Sequence, residues 1–154
     1  MRRTGFLYDE RFLLHQTGSE HPEVPERLLA AYSGLEEAGL IPMLTMLKAK
    51  RARQEWIEDV HSIKYMMNFE EACLLGMHDF DHPDCQISRE SFETAMLAAG
   101  GVVDAVRLVW EGKLDNAFCA VRPPGHHAEV NKAMGFCFFN NIAIAARYLQ
   151  RECG

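Results

Sequence analysis

The sequence has no apolar run approaching the ~20 residues that a helix needs to cross a bilayer, so no membrane role is expected. It has no excess of positive charge. Sixteen Lys and Arg stand against 22 Asp and Glu, a net charge of −6, and this argues against a basic face for direct nucleic-acid binding. It has no C-x-x-C pair. Its five cysteines, Cys73, Cys85, Cys119, Cys137 and Cys153, are odd in number, and three lie in apolar surroundings. They read as reduced, mostly buried thiols of a cytoplasmic protein. The opening Met1-Arg2-Arg3-Thr4-Gly5 leads into a short apolar segment followed by acidic residues. That pattern makes a poor signal peptide, which again points to the cytoplasm. There is no internal repeat, low-complexity tract or interdomain linker. At 154 residues, with 48% hydrophobic and 25% charged residues, the chain reads as one globular domain large enough to bury a core.

Along the chain, strand and helix patterns alternate. Gly5-Phe6-Leu7-Tyr8-Asp9 reads as a short opening strand, and Asp9 to Glu20 as an irregular polar loop. Pro22 and Pro25 open a helix, because proline suits a first turn whose N–H has no partner. Leu28, Tyr32, Leu35 and Ala38 repeat along it at helical spacing, and Gly39 and Pro42 stop it. Leu44-Thr45-Met46-Leu47 reads as a second strand, with Ala52 to Val60 and Ser62 to Leu75 as helices. His61 between them reads as a structural, hydrogen-bonded histidine. The longest helix starts near a Ser88 cap and carries apolar residues from Phe92 to Trp110 at i, i+3, i+4, i+7 spacing. Gly100-Gly101 in its middle costs about 1 kcal/mol each against alanine, so close packing against a sheet is expected there. A last helix, capped by Asn140 or Asn141, presents Ile142, Ala145, Ala146 and Leu149 and closes at Gly154.

Between the last two helices lies the densest chemistry. Ala117-Phe118-Cys119-Ala120-Val121 reads as a buried strand ended by Pro123-Pro124, since proline has no N–H for a ladder. Gly125 then permits a turn, and His126-His127 sit at its tip. A loop at the carboxyl end of a strand is where open α/β sheets place ligands. Two imidazoles there can exchange protons near neutral pH. A second loop, His78-Asp79-Phe80-Asp81-His82-Pro83-Asp84-Cys85, is rich in ligand types. His78, His82 and Cys85 are all types that bind zinc, although their spacing matches no standard pattern.

Arg122-Pro123-Pro124-Gly125-His126-His127-Ala128 followed by Met134-Gly135-Phe136-Cys137-Phe138-Phe139-Asn140-Asn141 resembles the signature of zinc-dependent histone deacetylases, with wording closest to class II and to bacterial amidohydrolases of that type. His21-Pro22-Glu23-Val24-Pro25-Glu26-Arg27-Leu28 is similar to the family's N-terminal motif. The resemblance covers most of the chain. It implies an α/β fold, helices packed on a mainly parallel sheet, as in the N-terminal part of the arginase/deacetylase type. It implies hydrolysis of the amide of an acetylated lysine peptide, an acetylated polyamine or a related small amide. In that reading His127 is the general base or acid and His126 its electrostatic partner. Asp84 (or Asp81, in a shifted register) accepts hydrogen bonds from the substrate backbone. Gly135 and Phe136 line a narrow slot, and Arg27 lines an internal channel unless it is a solvated arginine paired with Glu23 or Glu26. The family's zinc ligands and its late catalytic Tyr or His follow the second motif, beyond Gly154. The chain is therefore expected to be a partial domain, to hold no catalytic zinc by itself and to be inactive alone. Lacking later strands, it is expected to expose a sheet edge and to associate, as a homo-oligomer for example. Two alternatives remain open. One is an acyl-ligand binding module that cleaves nothing; the other is a metal-free hydrolase built on Cys137 and His127.

Overall fold

The computed structural model describes residues 2–152, so Cys153 and the expected stop at Gly154 lie outside it. Three strands form a parallel sheet in the order β2-β1-β5, with β1 at Thr4–Leu7, β2 at Thr45–Leu47 and β5 at Asn116–Cys119. Gly5 pairs with Thr45 on one side of β1 and with Ala117 on the other. Phe6 and Leu7 in the central strand are wholly buried, as expected where helices cover a parallel sheet.

Helix α1 spans Glu26–Glu37 and follows Pro25, α2 spans Gln54–Glu58, and α3 spans Ile63–Leu74. Ser62 caps α3 by accepting from the Tyr65 N–H at 3.2 Å. The 9–20 segment is less irregular than its composition suggests. Asp9 caps a 3-10 turn at Glu10–Leu14, accepting from the Arg11 N–H at 3.1 Å. The 78–86 segment is a short antiparallel hairpin, β3 (Asp79–Phe80) and β4 (His82–Gln86), reversed at Asp81 with φ of +62°.

Helix α4, Ser91–Trp110, is the spine, and its residues are buried almost continuously from Ser91 to Val103. A Cβ on Gly101 would lie 2.7 Å from Leu7 of β1, and one on Gly100 would lie 2.0 Å from the Lys50 carbonyl oxygen. Gly100 therefore lets α4 approach the backbone of residues 50–52, and Gly101 leaves room for the Leu7 side chain of β1. Below it an aromatic cluster closes the core. Phe69 of α3 stacks on Phe138 at 4.6 Å and meets Phe139 edge-on at 5.5 Å. Both of these phenylalanines, 0% and 1% exposed, are core residues. Helix α5, Asn141–Glu152, packs beside α4.

One sequence expectation is corrected. The 117–121 segment is a strand only to Cys119, and of its residues only Ala120 is buried. Among the described residues β5 is an edge, hydrogen-bonded to β1 alone, and Phe118 is 57% exposed. An apolar run records a side chain's preference, whereas burial requires a neighbouring strand or helix to supply it.

Candidate active site

Chain order fixes where a crevice can form. From β1 the chain moves sideways to β2, then crosses back over β1 to β5. The direction of winding reverses between β1 and β5, and open α/β sheets bind ligands at the carboxyl ends of the strands at such a switch point. The loop after β1 and the loop carrying His126 and His127 both leave the sheet there.

A buried ion pair joins these loops. Arg122, 2% exposed, donates from Nε to Glu23 Oε1 at 2.7 Å and from an Nη to Oε2 at 2.8 Å. The same guanidinium donates to the carbonyls of Phe12, His15 and Glu23 at 3.1, 2.9 and 3.0 Å. All of these acceptors belong to the segment after β1. A buried charge is tolerable when its donors and acceptors are filled in this way. The cis Arg122–Pro123 peptide follows directly. His15 lies in the same pocket with Nδ1 2.7 Å from Ser91 Oγ. Its Nε2 is 3.7 Å from Glu23 Oε2, but that carboxylate is already neutralised by Arg122. Burial therefore dominates, helped by the Arg122 charge and by His21, and pushes the His15 pKa down to about 3.

The next residues present the histidines. Gly125 is buried, and a Cβ there would stand 2.2 Å from the Phe139 carbonyl oxygen, so only glycine lets this loop lie on the second motif. His126 and His127 are both exposed, with ring centroids 4.2 Å apart. Gly135, at φ +56°, brings the second motif against His127: its added Cβ would fall 2.7 Å from His127 Cδ2. Phe136 follows at φ +68°, half-buried, its ring edge-on to His21 at 4.7 Å. The structure thus brings His127, Gly135 and Phe136 together.

The excursion between the two motifs is tied down at both ends. His61, 2% exposed, accepts the Asn140 N–H on Nε2 at 2.9 Å and lies 3.4 Å from the Val130 carbonyl oxygen through Nδ1. Asp81 Oδ2 accepts the Ala133 N–H at 2.8 Å. Asp81 is thereby committed to the fold. The Asp84 side chain is 41% exposed and accepts from His82 Nδ1 at 2.6 Å, while its main-chain oxygen accepts from His21 Nε2 at 2.9 Å. Arg27 is exposed on the first turn of α1, where Leu28 takes the inward position, and Glu23 belongs to Arg122 rather than to Arg27.

Two chemistries open on sequence are not assembled. Cys137 is 0% exposed, its thiol donates to the Gly135 carbonyl at 3.2 Å, and burial raises its pKa. A protonated thiol of this kind is a poor nucleophile. Cys85 is also fully buried, and burial pushes its pKa up to about 12. His78 and His82, by contrast, are exposed and face Asp79 and Asp84. Among the described residues no three His, Cys, Asp or Glu side chains converge on a point that would hold a metal ion. The residues present therefore do not fit a zinc site, which needs at least three protein ligands.

Sequence reasoning missed Arg122, Glu23, His15 and His21 as a unit. The one available signal was an arginine at the end of an apolar strand, a charge that must find a partner when buried. Nothing local points to a partner 99 residues away.

This arrangement belongs to a known class. The crystal structure of the HDA15 HD domain matches with a TM-score of 0.91 and 34% identity, over 98% of this chain and 44% of that one. The architecture is accordingly the α/β fold of the arginase/deacetylase type. The family described as the histone deacetylase domain matches residues 21–154, and the chain belongs to the histone deacetylase family. Histone deacetylase 5 of Arabidopsis thaliana is 38% identical over 98% of this chain and 24% of its own length. A probable deacetylase of Archaeoglobus fulgidus is 36% identical over 97% of this chain and 42% of its own length. For human histone deacetylase 7 the values are 36%, 97% and 18%. The chain thus spans less than half the length of these relatives. No helix among the described residues is long and apolar enough to cross a membrane.

Proposed function

We propose that the chain carries the acid–base histidines and one substrate wall of a deacetylase that hydrolyses the amide of an acetylated lysine peptide, an acetylated polyamine or a related acylated amine. The observation that carries this reading is the seating of the His127 ring on Gly135, next to Phe136, at the switch point of the sheet. His127 takes a proton from the attacking water as its oxygen bonds to the carbonyl carbon, and then gives that proton to the amine nitrogen as the C–N bond breaks. His126, its ring 4.2 Å away, stabilises the negative charge that grows on the carbonyl oxygen. Phe136 and Gly135 flank the methylenes of the acylated side chain, and the Asp84 carboxylate accepts N–H donors of the substrate backbone. Arg27 retains its channel role on motif alone. The zinc that the family reading calls for is assigned to residues outside this chain, which acts as a partial domain in the cytoplasm.

The test uses zinc analysis and turnover of an acetyl-lysine fluorogenic peptide. The 154-residue chain alone is expected to hold no zinc and to give no turnover. Fused ahead of the segment that follows the second motif in the Archaeoglobus relative, it is expected to gain turnover. His127→Ala should then cut turnover by roughly 10²–10⁴-fold, the span of general acid–base catalysis. Chelator-sensitive turnover by the unfused chain would show instead that these residues build a metal site of their own.

A further inference from the structure

The His21 side chain touches both halves of the proposed substrate wall. It is 9% exposed, and both of its ring nitrogens are engaged. Nδ1 accepts the Glu23 N–H at 3.0 Å, which leaves the proton on Nε2, and Nε2 donates to the Asp84 carbonyl at 2.9 Å. The ring edge meets Phe136 at 4.7 Å and 73°, the edge-to-face geometry that aromatic pairs favour. Asp84 lies on β4 of a two-stranded hairpin, an element of marginal independent stability. Phe136 sits at a positive φ, which a non-glycine residue keeps only when its surroundings hold it there. Each wall residue thus needs an external brace, and one imidazole serves both.

We propose that His21 is a positioning residue of the substrate slot: it sets the separation between the Asp84 acceptor and the Phe136 wall. This rests on the reading of Asp84 and Phe136 as substrate-binding. His82, which donates to the Asp84 carboxylate at 2.6 Å, fixes how that carboxylate turns, whereas His21 fixes where its backbone stands. Glu23, two residues on, grips Arg122 at the root of the His126–His127 loop. The 21–23 segment therefore sets the wall and the acid–base loop in one frame.

The experiment is an NMR titration of the isotopically labelled chain with an acetyl-lysine peptide, following the Asp84 and Phe136 amides. Three variants accompany the wild type. His21→Leu removes both hydrogen bonds but keeps an apolar contact for Phe136. His21→Gln can still donate to the Asp84 carbonyl. Gln86→Ala unpicks a separate stitch of the same loop to β4, the Gly18 N–H to Gln86 Oε1 bond at 2.7 Å. The expected result is joint movement of both amides in the wild type, a roughly tenfold weaker Kd in His21→Leu, the loss expected for one to two hydrogen bonds, and partial recovery in His21→Gln. Gln86→Ala should lower the unfolding midpoint and leave Kd unchanged, which separates positioning from loosening of the loop. Wild-type binding that His21→Leu leaves within twofold overturns the proposal while the slot stands. Absence of peptide-induced shifts at Asp84 and Phe136 in the wild type withdraws the slot itself, and the proposal with it.

Discussion

At the scale of single residues, burial decides more than charge. His15 is enclosed beside the Arg122 guanidinium, and its pKa falls from 6.5 to about 3. His61, filled on both ring nitrogens, is lowered in the same direction, chiefly by burial. A histidine that stays neutral in the native state but protonates in the unfolded chain makes the unfolded state bind more protons between those two values. Stability is then complete above about pH 6.5 and is lost as pH falls toward about 3. Each such group contributes a slope of up to ~1.4 kcal/mol per pH unit. Urea unfolding should therefore show the chain less stable at pH 5 than above neutrality, by roughly 2 kcal/mol from one such histidine. Equal midpoints would mean that His15 is charged in the folded protein.

At the scale of elements, α4 shows where local preference gives way to packing. Intrinsic helix propensity favours alanine over glycine by about 1 kcal/mol, so Gly100→Ala would stabilise an isolated α4. In the folded chain the new methyl would stand 2.0 Å from the Lys50 carbonyl oxygen and 2.5 Å from the Ala52 nitrogen. Both are backbone atoms that cannot rotate away, and Ala52 N–H is itself bonded to the Met96 carbonyl at 2.9 Å. Overpacking of this kind costs about 1–3 kcal/mol, so thermal unfolding should find Gly100→Ala destabilised, and a raised midpoint would contradict the close approach. The glycine pair was legible in the sequence as a packing site because its propensity cost needed a reason. Helices α1, α3 and α4 were legible through the spacing of their apolar residues, but the cap expected at Ser88 was not found: α4 starts at Ser91 after Glu90, whose side chain caps nothing. The β3–β4 hairpin was not. Its strands are short, lack alternation and contain Pro83, and Asp81 rather than glycine takes the positive φ. The adjacent motif residues around His126 and Phe136 could be read directly. The braces that orient them, Arg122 to Glu23 and His21 to Asp84, join segments far apart in sequence and emerge only once the sheet has folded.

At the scale of the whole molecule, the sheet has an uncovered side. Among the described residues β5 pairs only with β1, and beside it lies an open apolar groove of about 860 Å³ between α4, β5 and α5. Trp110, Phe118 and Ile142 on this groove are 61%, 57% and 63% exposed. His126 reaches its rim, but His127, Gly135 and Phe136 do not line it, so the groove is the free flank of the sheet rather than the substrate slot. An unpaired strand bordered by large apolar side chains is a template for association. A charge on this unpaired strand should oppose that association, because covering an unpaired ammonium is costly. Phe118 faces outward and touches Phe6 only at 5.9 Å, so Phe118→Lys alters the flank more than the core. Sedimentation velocity is expected to show the wild-type chain associating as concentration rises, with Phe118→Lys shifted toward monomer and its far-UV circular dichroism unchanged. A wild-type chain that stays monomeric across the same concentrations would mean that the groove is too shallow, or its edge too short, to recruit a partner strand by itself.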